Sequence, residues 1–382
     1  MAGHYERLCR FTLSDTLWAL LSALLLVLAY SLAVLMPAAI AWGIWWSIAN
    51  LSGKAAVRTT LLLSFLLYMS LGALMRRVPQ PIGMPMNAER AKRLIELLAR
   101  IARAVGAPEP QLLWLTPDAT VGAYREGFSL FPFKGRIAVS VGIVALDWLS
   151  VGELCSLLAH ELAHFSRFQP KPIKLISEAL LSLLRFTEDM RTKARLWWLN
   201  PTWWMLRLLA PLCALASYRI IQRGELCADA TAARCCGSEV FISALRKYAL
   251  VETLFDGVMH DIIERLALEK KSLTDIAKSF REFCSNHIPQ KTAQQIQDEL
   301  LRIPSNPLSL YTNLGIRLTT LSAVVTNQDT SCALTRDDTP AHSLLTEPEK
   351  LSRELSQLYA AAIHRLFIPA RHLSSHSSEG IR

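Results

Sequence analysis

The sequence predicts an α+β protein, mostly helical, that begins with a two-span transmembrane helical hairpin. Three observations predict it. Residues 16–53 contain no charge, and neither do residues 59–75. Beyond residue 87, apolar side chains return at helical spacing in most segments. Between residues 111 and 141, three short segments read instead as strands, the last with period-two alternation.

The hairpin comes first. Residues 17–41 are dominated by Leu, Ala and Val, with Trp42, Trp45 and Trp46 at the far end. About 20 apolar residues cross a bilayer, and Trp gathers at its interfaces. A cleaved leader is the competing reading, with Arg7 and Arg10 ahead of the apolar run, but the run exceeds the usual 7–15 residues of a leader core. Residues 59–75 form the second span. The heavier basic excess follows it (Arg76, Arg77, Arg90, Lys92, Arg93), which places both ends of the hairpin in the cytoplasm. Net charge is +9, with 19% charged and 52% hydrophobic residues. That balance suits an anionic membrane face or nucleic acid, and no nucleic-acid-binding pattern accompanies it. The eight Cys include no C-x-x-C pair, as expected of reduced thiols in a cytoplasmic domain.

Residues 78–86, rich in Pro and Gly, read as a linker. Asn87 caps a helix that runs to about Val105 and stops at Gly106. Strands follow at 111–115, 120–124 and 136–141. Ser150 and Glu153 form a capping box and open a helix expected to reach about Phe168, before Pro170. Residues 196–218 are apolar and Trp-rich but hold Pro201, Arg207 and Pro211, so they are expected to contact the membrane without a certain span. Helices are expected at 238–251, 261–284, 292–301 and 348–367, and a disordered tail at 371–382.

The chemistry lies in Leu158-Ala159-His160-Glu161-Leu162-Ala163-His164-Phe165. Residues four apart on a helix share a face, so both imidazoles reach one ion. Zinc takes His nitrogen, and a catalytic site adds a third protein ligand and a water. Glu161, beside that water, is placed to accept its proton. Leu157, Leu158 and Leu162 make the helix apolar, and buried His and Glu need a compensating partner such as a metal. In Gln222-Arg223-Gly224-Glu225-Leu226-Cys227-Ala228-Asp229, Glu225 completes the ligand set. Asp229, one turn on, accepts the free N–H of a ligand histidine. Cys227 is the alternative third ligand.

These segments resemble the HtpX-like and CAAX-prenyl-protease-like zinc metalloendopeptidases, best over 87–237. The resemblance implies a gluzincin-type zinc metalloprotease domain, with a small edge sheet over the active-site helix. It also implies that Arg136, Ile137, Ala138, Val139, Ser140 and Val141 form the edge that pairs with an extended substrate. Relatives carry His-Pro near a downstream Arg-Leu-x-x-Leu, whereas here Tyr311-Thr312-Asn313-Leu314-Gly315-Ile316-Arg317-Leu318 has neither. Asn313 and Arg317 become the candidates for stabilising an oxyanion.

The expected organisation is a membrane anchor at 1–77, the linker 78–86, a metalloprotease core at 87–237, a helical part at 238–370 and the tail. The expected activity is endopeptidase cleavage of membrane or unfolded protein substrates, with one Zn2+ per chain and Glu161 activating the water. The expected partners are peptide substrate and lipid bilayer, with no nucleic acid. The competing reading is a membrane-bound binding or chaperone-like module with a structural zinc, against which the intact Glu161 argues.

Overall fold

The computed structural model describes residues 12–74, 78, 80–127, 133–193, 197–269, 274–304, 306, 313–324 and 337–374. Helix α1 (Leu13–Asn50) opens at a Thr12/Asp15 capping box and continues unbroken through Pro37. At 1.5 Å per residue its 38 residues extend about 57 Å, nearly twice the hydrocarbon thickness of a bilayer. It turns at once into α2 (Gly53–Leu74), where Ser47 and Thr60 hydrogen bond across the pair at 3.2 Å. The expected spans 17–41 and 59–75 fall on these two helices, apart from residue 75, which with Arg76 and Arg77 lies outside the described residues.

Helix α3 (Ala88–Val105) has Asn87 as N-cap and Gly106 as C-cap, the latter at φ 68°, where a Cβ is disfavoured. Strands β1 (Met84–Pro85), β2 (Leu112–Thr116), β3 (Val121–Glu126) and β4 (Arg136–Gly142) form one sheet in the order β1-β2-β4-β3. β4 runs parallel to β2 and antiparallel to β3. The segment 136–141 is therefore a central strand, not the exposed edge. Both of its flanks are hydrogen bonded, and its Ala138, Val139 and Val141 are fully buried, the two valines in the hydrophobic core. The free edge beside the site is β3.

After the short α4 (Ile143–Trp148), α5 (Val151–Ala163) passes beneath the sheet. It ends earlier than Phe168. The N–H groups of Phe165 and Ser166 bond to the carbonyls of Leu162 and Ala163, tightening the last turn, and the Ser166 hydroxyl donates to the carbonyl of Val105. α6 (Lys171–Lys193) and α7 (Pro201–Cys236) then form a long antiparallel hairpin. The whole of 201–236 is one helix. Its first half carries the outward stripe Trp204, Leu208, Leu212 and Leu215, and its last turns carry Glu225 and Asp229.

Two hydrophobic cores result among the described residues. One joins α1, α6 and α7 through Ala29, Ala33, Leu180, Phe186, Leu206 and Cys213. Small residues on α1 permit close helix approach, as is common between membrane helices. The other joins α3, the sheet and α5 to the C-terminal helices.

Those helices are α8 (Ser238–Glu269), α9 (Ile276–His287), α10 (Gln290–Arg302), α11 (Leu314–Val324) and α12 (Pro348–Ser374). The helices expected at 238–251 and 261–284 are divided differently. Gly257, with open space around it, does not interrupt α8, whereas Asp275 accepts from the N–H of Lys278 and starts α9 anew. α12 extends through Ser374, into the stretch read as a tail, and residues 375–382 lie outside the described residues. Between α11 and α12, the backbone carbonyls of Asp337 and Thr339 accept from the N–H groups of Gly152 and Val151, capping the start of α5.

Candidate metal centre

The last turn of α5 carries His160, Glu161 and His164. The capping box at Ser150/Glu153 fixes the other end of that helix, where Lys247 and Ser243 of α8 also bind the Glu153 carboxylate at 2.8 and 2.7 Å. The two imidazoles are perpendicular, with ring centres 5.0 Å apart. Glu225 of α7 meets both. Its carboxylate oxygens lie 3.4 Å from Nε2 of His160 and 3.4 Å from Nε2 of His164. The three donor atoms fall within 4.8 Å of one another.

Asp229, one turn beyond Glu225, lies 2.8 Å from Nδ1 of His160. With its Nδ1–H given to Asp229, His160 directs Nε2 toward Glu225. Arg317 of α11 binds Asp229 through both Nε (2.8 Å) and Nη2 (2.5 Å). Its Nη2 is 3.3 Å from Nδ1 of His160 because both donors converge on one carboxylate oxygen. Arg317 is thus in the site, as a clamp on Asp229. Asn313 is not. Its Oδ1 accepts from the N–H of Ile316 at the start of α11, and its amide nitrogen donates to the carbonyl of Ile303. Both polar atoms are spent on capping and on a neighbouring turn, which removes it as an oxyanion candidate.

The charges are mutually adjusted. Burial and the Arg317 charge disfavour protonated His160, but the Asp229 carboxylate and Glu225 outweigh them and raise it to about 9. Burial opposes ionisation of Glu225, and His164 and His160 overcome it, lowering its pKa to about 2. Asp229 is held far below the usual carboxylate range: burial is overridden by Arg317 and His160. Arg317, although buried, is pushed above its usual range by Asp229. Two imidazole nitrogens with one carboxylate oxygen are a donor set that zinc accepts.

Glu161 projects toward the sheet, where its Oε2 accepts from the N–H of Ala123 on β3 at 3.2 Å. The bond from Gly142 N–H to the Thr120 carbonyl sets the phase of the β3–β4 ladder. Gly122, Tyr124 and Glu126 accordingly bond to β4, while Val121, Ala123 and Arg125 turn their N–H and C=O groups to the free edge. The outward N–H of Val121 meets the Tyr248 hydroxyl at 3.3 Å, and Tyr248 lies 3.3 Å from the Glu252 carboxylate. Tyr248 and Gln169, which lies beside His164, carry no signal in the sequence. Neither belongs to a recurrent motif, and both reach the site only through tertiary packing.

A helix carrying two histidines that could hold a metal ion, a carboxylate delivered by a second, long apolar helix and an antiparallel edge above them are the arrangement of a metallopeptidase. Residues 88–292, more than half of the chain, match peptidase family M48, and the chain belongs to that family. A protease HtpX homolog of Persephonella marina is 30% identical over 158 residues, which are 39% of this chain and 53% of that protein. The homolog of Pelotomaculum thermopropionicum is 35% identical over 80 residues, 21% of this chain and 27% of that protein. The homolog of Methanopyrus kandleri is 32% identical over 81 residues, 21% of this chain and 25% of that protein. The chain spans between about a quarter and about half the length of these curated relatives. No solved structure matches it. Among the described residues, α1, α2 and α7 are long and apolar enough to cross a membrane.

Proposed function

We propose that this chain is a membrane-anchored, zinc-dependent endopeptidase that hydrolyses peptide bonds of membrane or unfolded proteins. The observation that carries the reading is the convergence of His160, His164 and Glu225 directly beneath the free edge of β3, with Glu161 between them and that edge. The three ligand residues would hold zinc, which when bound polarises a carbonyl and acidifies water. The protein's own groups then divide the work. An extended peptide pairs with the outward backbone groups of Val121, Ala123 and Arg125, displacing Tyr248 and Glu161 from the N–H groups of Val121 and Ala123, an interaction indifferent to side-chain sequence. Glu161 takes the proton of the attacking water and passes it to the departing amine, a role worth roughly 10²–10⁴-fold in rate. Arg317 and Asp229 keep His160 in the tautomer that presents Nε2.

The anchor at 1–77 places the core at 87–237 beside the lipid surface, on the cytoplasmic side by the basic excess after the second span. Apolar Trp204, Leu208, Leu212 and Leu215 extend the lipid-facing surface onto α7. The experiment is zinc content and casein cleavage by the detergent-purified chain, wild type beside Glu161→Gln. About one zinc in both, with cleavage by wild type alone, is the expected result. Zinc in both with cellular function intact in Glu161→Gln favours the non-enzymatic module that keeps a structural zinc. No zinc in either overturns the proposal.

A further inference from the structure

Gln169 sits five residues past His164, in the loop that joins α5 to α6, and is 9% exposed. The loop is fixed. The N–H of Arg167 bonds to the carbonyl of Gly106, the N–H of Phe168 to the Ser166 hydroxyl, and the N–H of Gln169 to the Ser166 carbonyl. The amide nitrogen of Gln169 lies 3.5 Å from Nδ1 of His164, and its amide oxygen is buried with no hydrogen-bond partner.

That arrangement conflicts with a ligating imidazole in either tautomer. Nε2 of His164 is the atom that faces Glu225. A ligating ring keeps its lone pair on Nε2 and its proton on Nδ1, so an amide NH2 at Nδ1 sets donor against donor. If Nδ1 accepted instead, the proton would occupy Nε2, where the metal belongs. The amide oxygen meanwhile is buried with no donor to pair with, which is unfavourable. A half-turn of the terminal torsion exchanges the oxygen and nitrogen of an amide without changing its shape. It removes the conflict at the imidazole: Oε1 receives the Nδ1 proton while Nε2 of His164 keeps its lone pair. Gly224 of α7 packs beside this amide, where a Cβ would lie 3.4 Å from the Gln169 terminus.

We propose that Gln169 is the positioning residue for His164, its amide oxygen accepting the Nδ1 proton and so holding the ring in the tautomer that offers Nε2 to a metal. The inference rests on the zinc-site reading above and deepens it. Each ligand histidine then has its own partner: a carboxylate clamped by Arg317 for His160, and a neutral amide on a fixed loop for His164. The neutral partner adds no charge to a pocket that already holds Glu225 and Asp229.

The test uses the full-length chain in detergent, comparing wild type with Gln169→Leu and Gln169→Glu. Zinc affinity is measured by competition with a chromophoric chelator, ligand geometry by the visible spectrum of the Co2+-loaded protein, and folding by melting of the metal-free protein. Gln169→Leu is expected to weaken zinc binding 10–100-fold and to alter the Co2+ spectrum. Its metal-free melting is expected to be unchanged or raised, because a buried polar group has been removed. Gln169→Glu, which keeps an acceptor, is expected to bind zinc at least as well as wild type. Gln169→Met, closer in length to glutamine, repeats the apolar arm if Leu disturbs folding. Wild-type zinc affinity in the apolar variants overturns the proposal. So does a Gln169→Glu variant as weak as Gln169→Leu, which would make the amide a donor or a filler. A wild type that takes up no zinc removes the metal site itself, a result distinct from either.

Discussion

Arg317 grips both carboxylate oxygens of Asp229 while Asp229 holds Nδ1 of His160, so a residue 157 positions away from the histidine in sequence fixes its orientation. The Asp229 side chain is only 2% exposed. Removing the guanidinium strands a buried carboxylate, which typically costs about 3–5 kcal/mol. Arg317→Ala is therefore expected to lower the melting temperature of the metal-free protein and to weaken zinc binding about 10–100-fold. Arg317→Lys should recover only part of this, since an ammonium cannot engage both oxygens in the same plane. Melting curves and zinc competition on the two variants check it. An Arg317→Ala protein with unchanged melting would show that the clamp carries no stability.

Metal uptake should depend on pH through His160. Its pKa in the metal-free site is about 9, above the ordinary value of 6.5. The proton stabilises the folded metal-free protein fully below about 6.5, and that contribution is lost as pH rises through about 9. Zinc must displace the same proton. Its apparent affinity should therefore rise about tenfold per pH unit up to about 9 and then level off. Zinc competition from pH 6 to pH 10 reads the slope, and a flat profile excludes the linkage.

Gly224 is required by packing. A Cβ there would come within 2.6 Å of Cγ2 of Ile173 on α6. Gly224→Ala should cost about 1–3 kcal/mol through overpacking and should displace Glu225, its neighbour on α7, with a measurable loss of bound zinc. Zinc content and melting measured together distinguish this from a helix stabilised by Ala.

The outward stripe on α7 should report on lipid contact. Leu208 is 71% exposed and Leu212 51%. A charge that faces lipid costs about 2.5–3.5 kcal/mol near the bilayer centre and less toward the interface. Leu208→Lys with Leu212→Lys should increase release of the protein from membranes at alkaline pH when 1–77 is also weakened by a polar substitution in α1. Unchanged extraction would place the stripe in water or against another protein.

The sequence made the candidate metal-holding residues legible because spacing on a helix is local. His160 and His164 are one turn apart, as are Glu225 and Asp229, and each pair can be read from the chain alone. Caps at Asn87 and Ser150 were legible for the same reason. Strand order was not. Residues 136–142 alternate as either an edge or a half-covered central strand would, and only pairing with both β2 and β3 settles which it is. The division of α8 from α9 turns on Asp275, one polar residue among many that could cap. Gln169 and Tyr248 act through neighbours distant in the chain, and no spacing rule announces them.

Asp15, 3% exposed at the start of α1, forms an ion pair with Arg223, and Ser14 accepts from Arg219 one turn earlier on α7. Those two arginines occupy one face of α7, and Glu225 projects from another face within the same turn. The helix is thus a shaft gripped by the anchor on one side and by the imidazoles on the other, with no break between the two grips. Its azimuth is set from both sides at once. An excised core that lacks 1–77 loses one bearing of that shaft, leaving the azimuth of Glu225 set from the imidazole side alone.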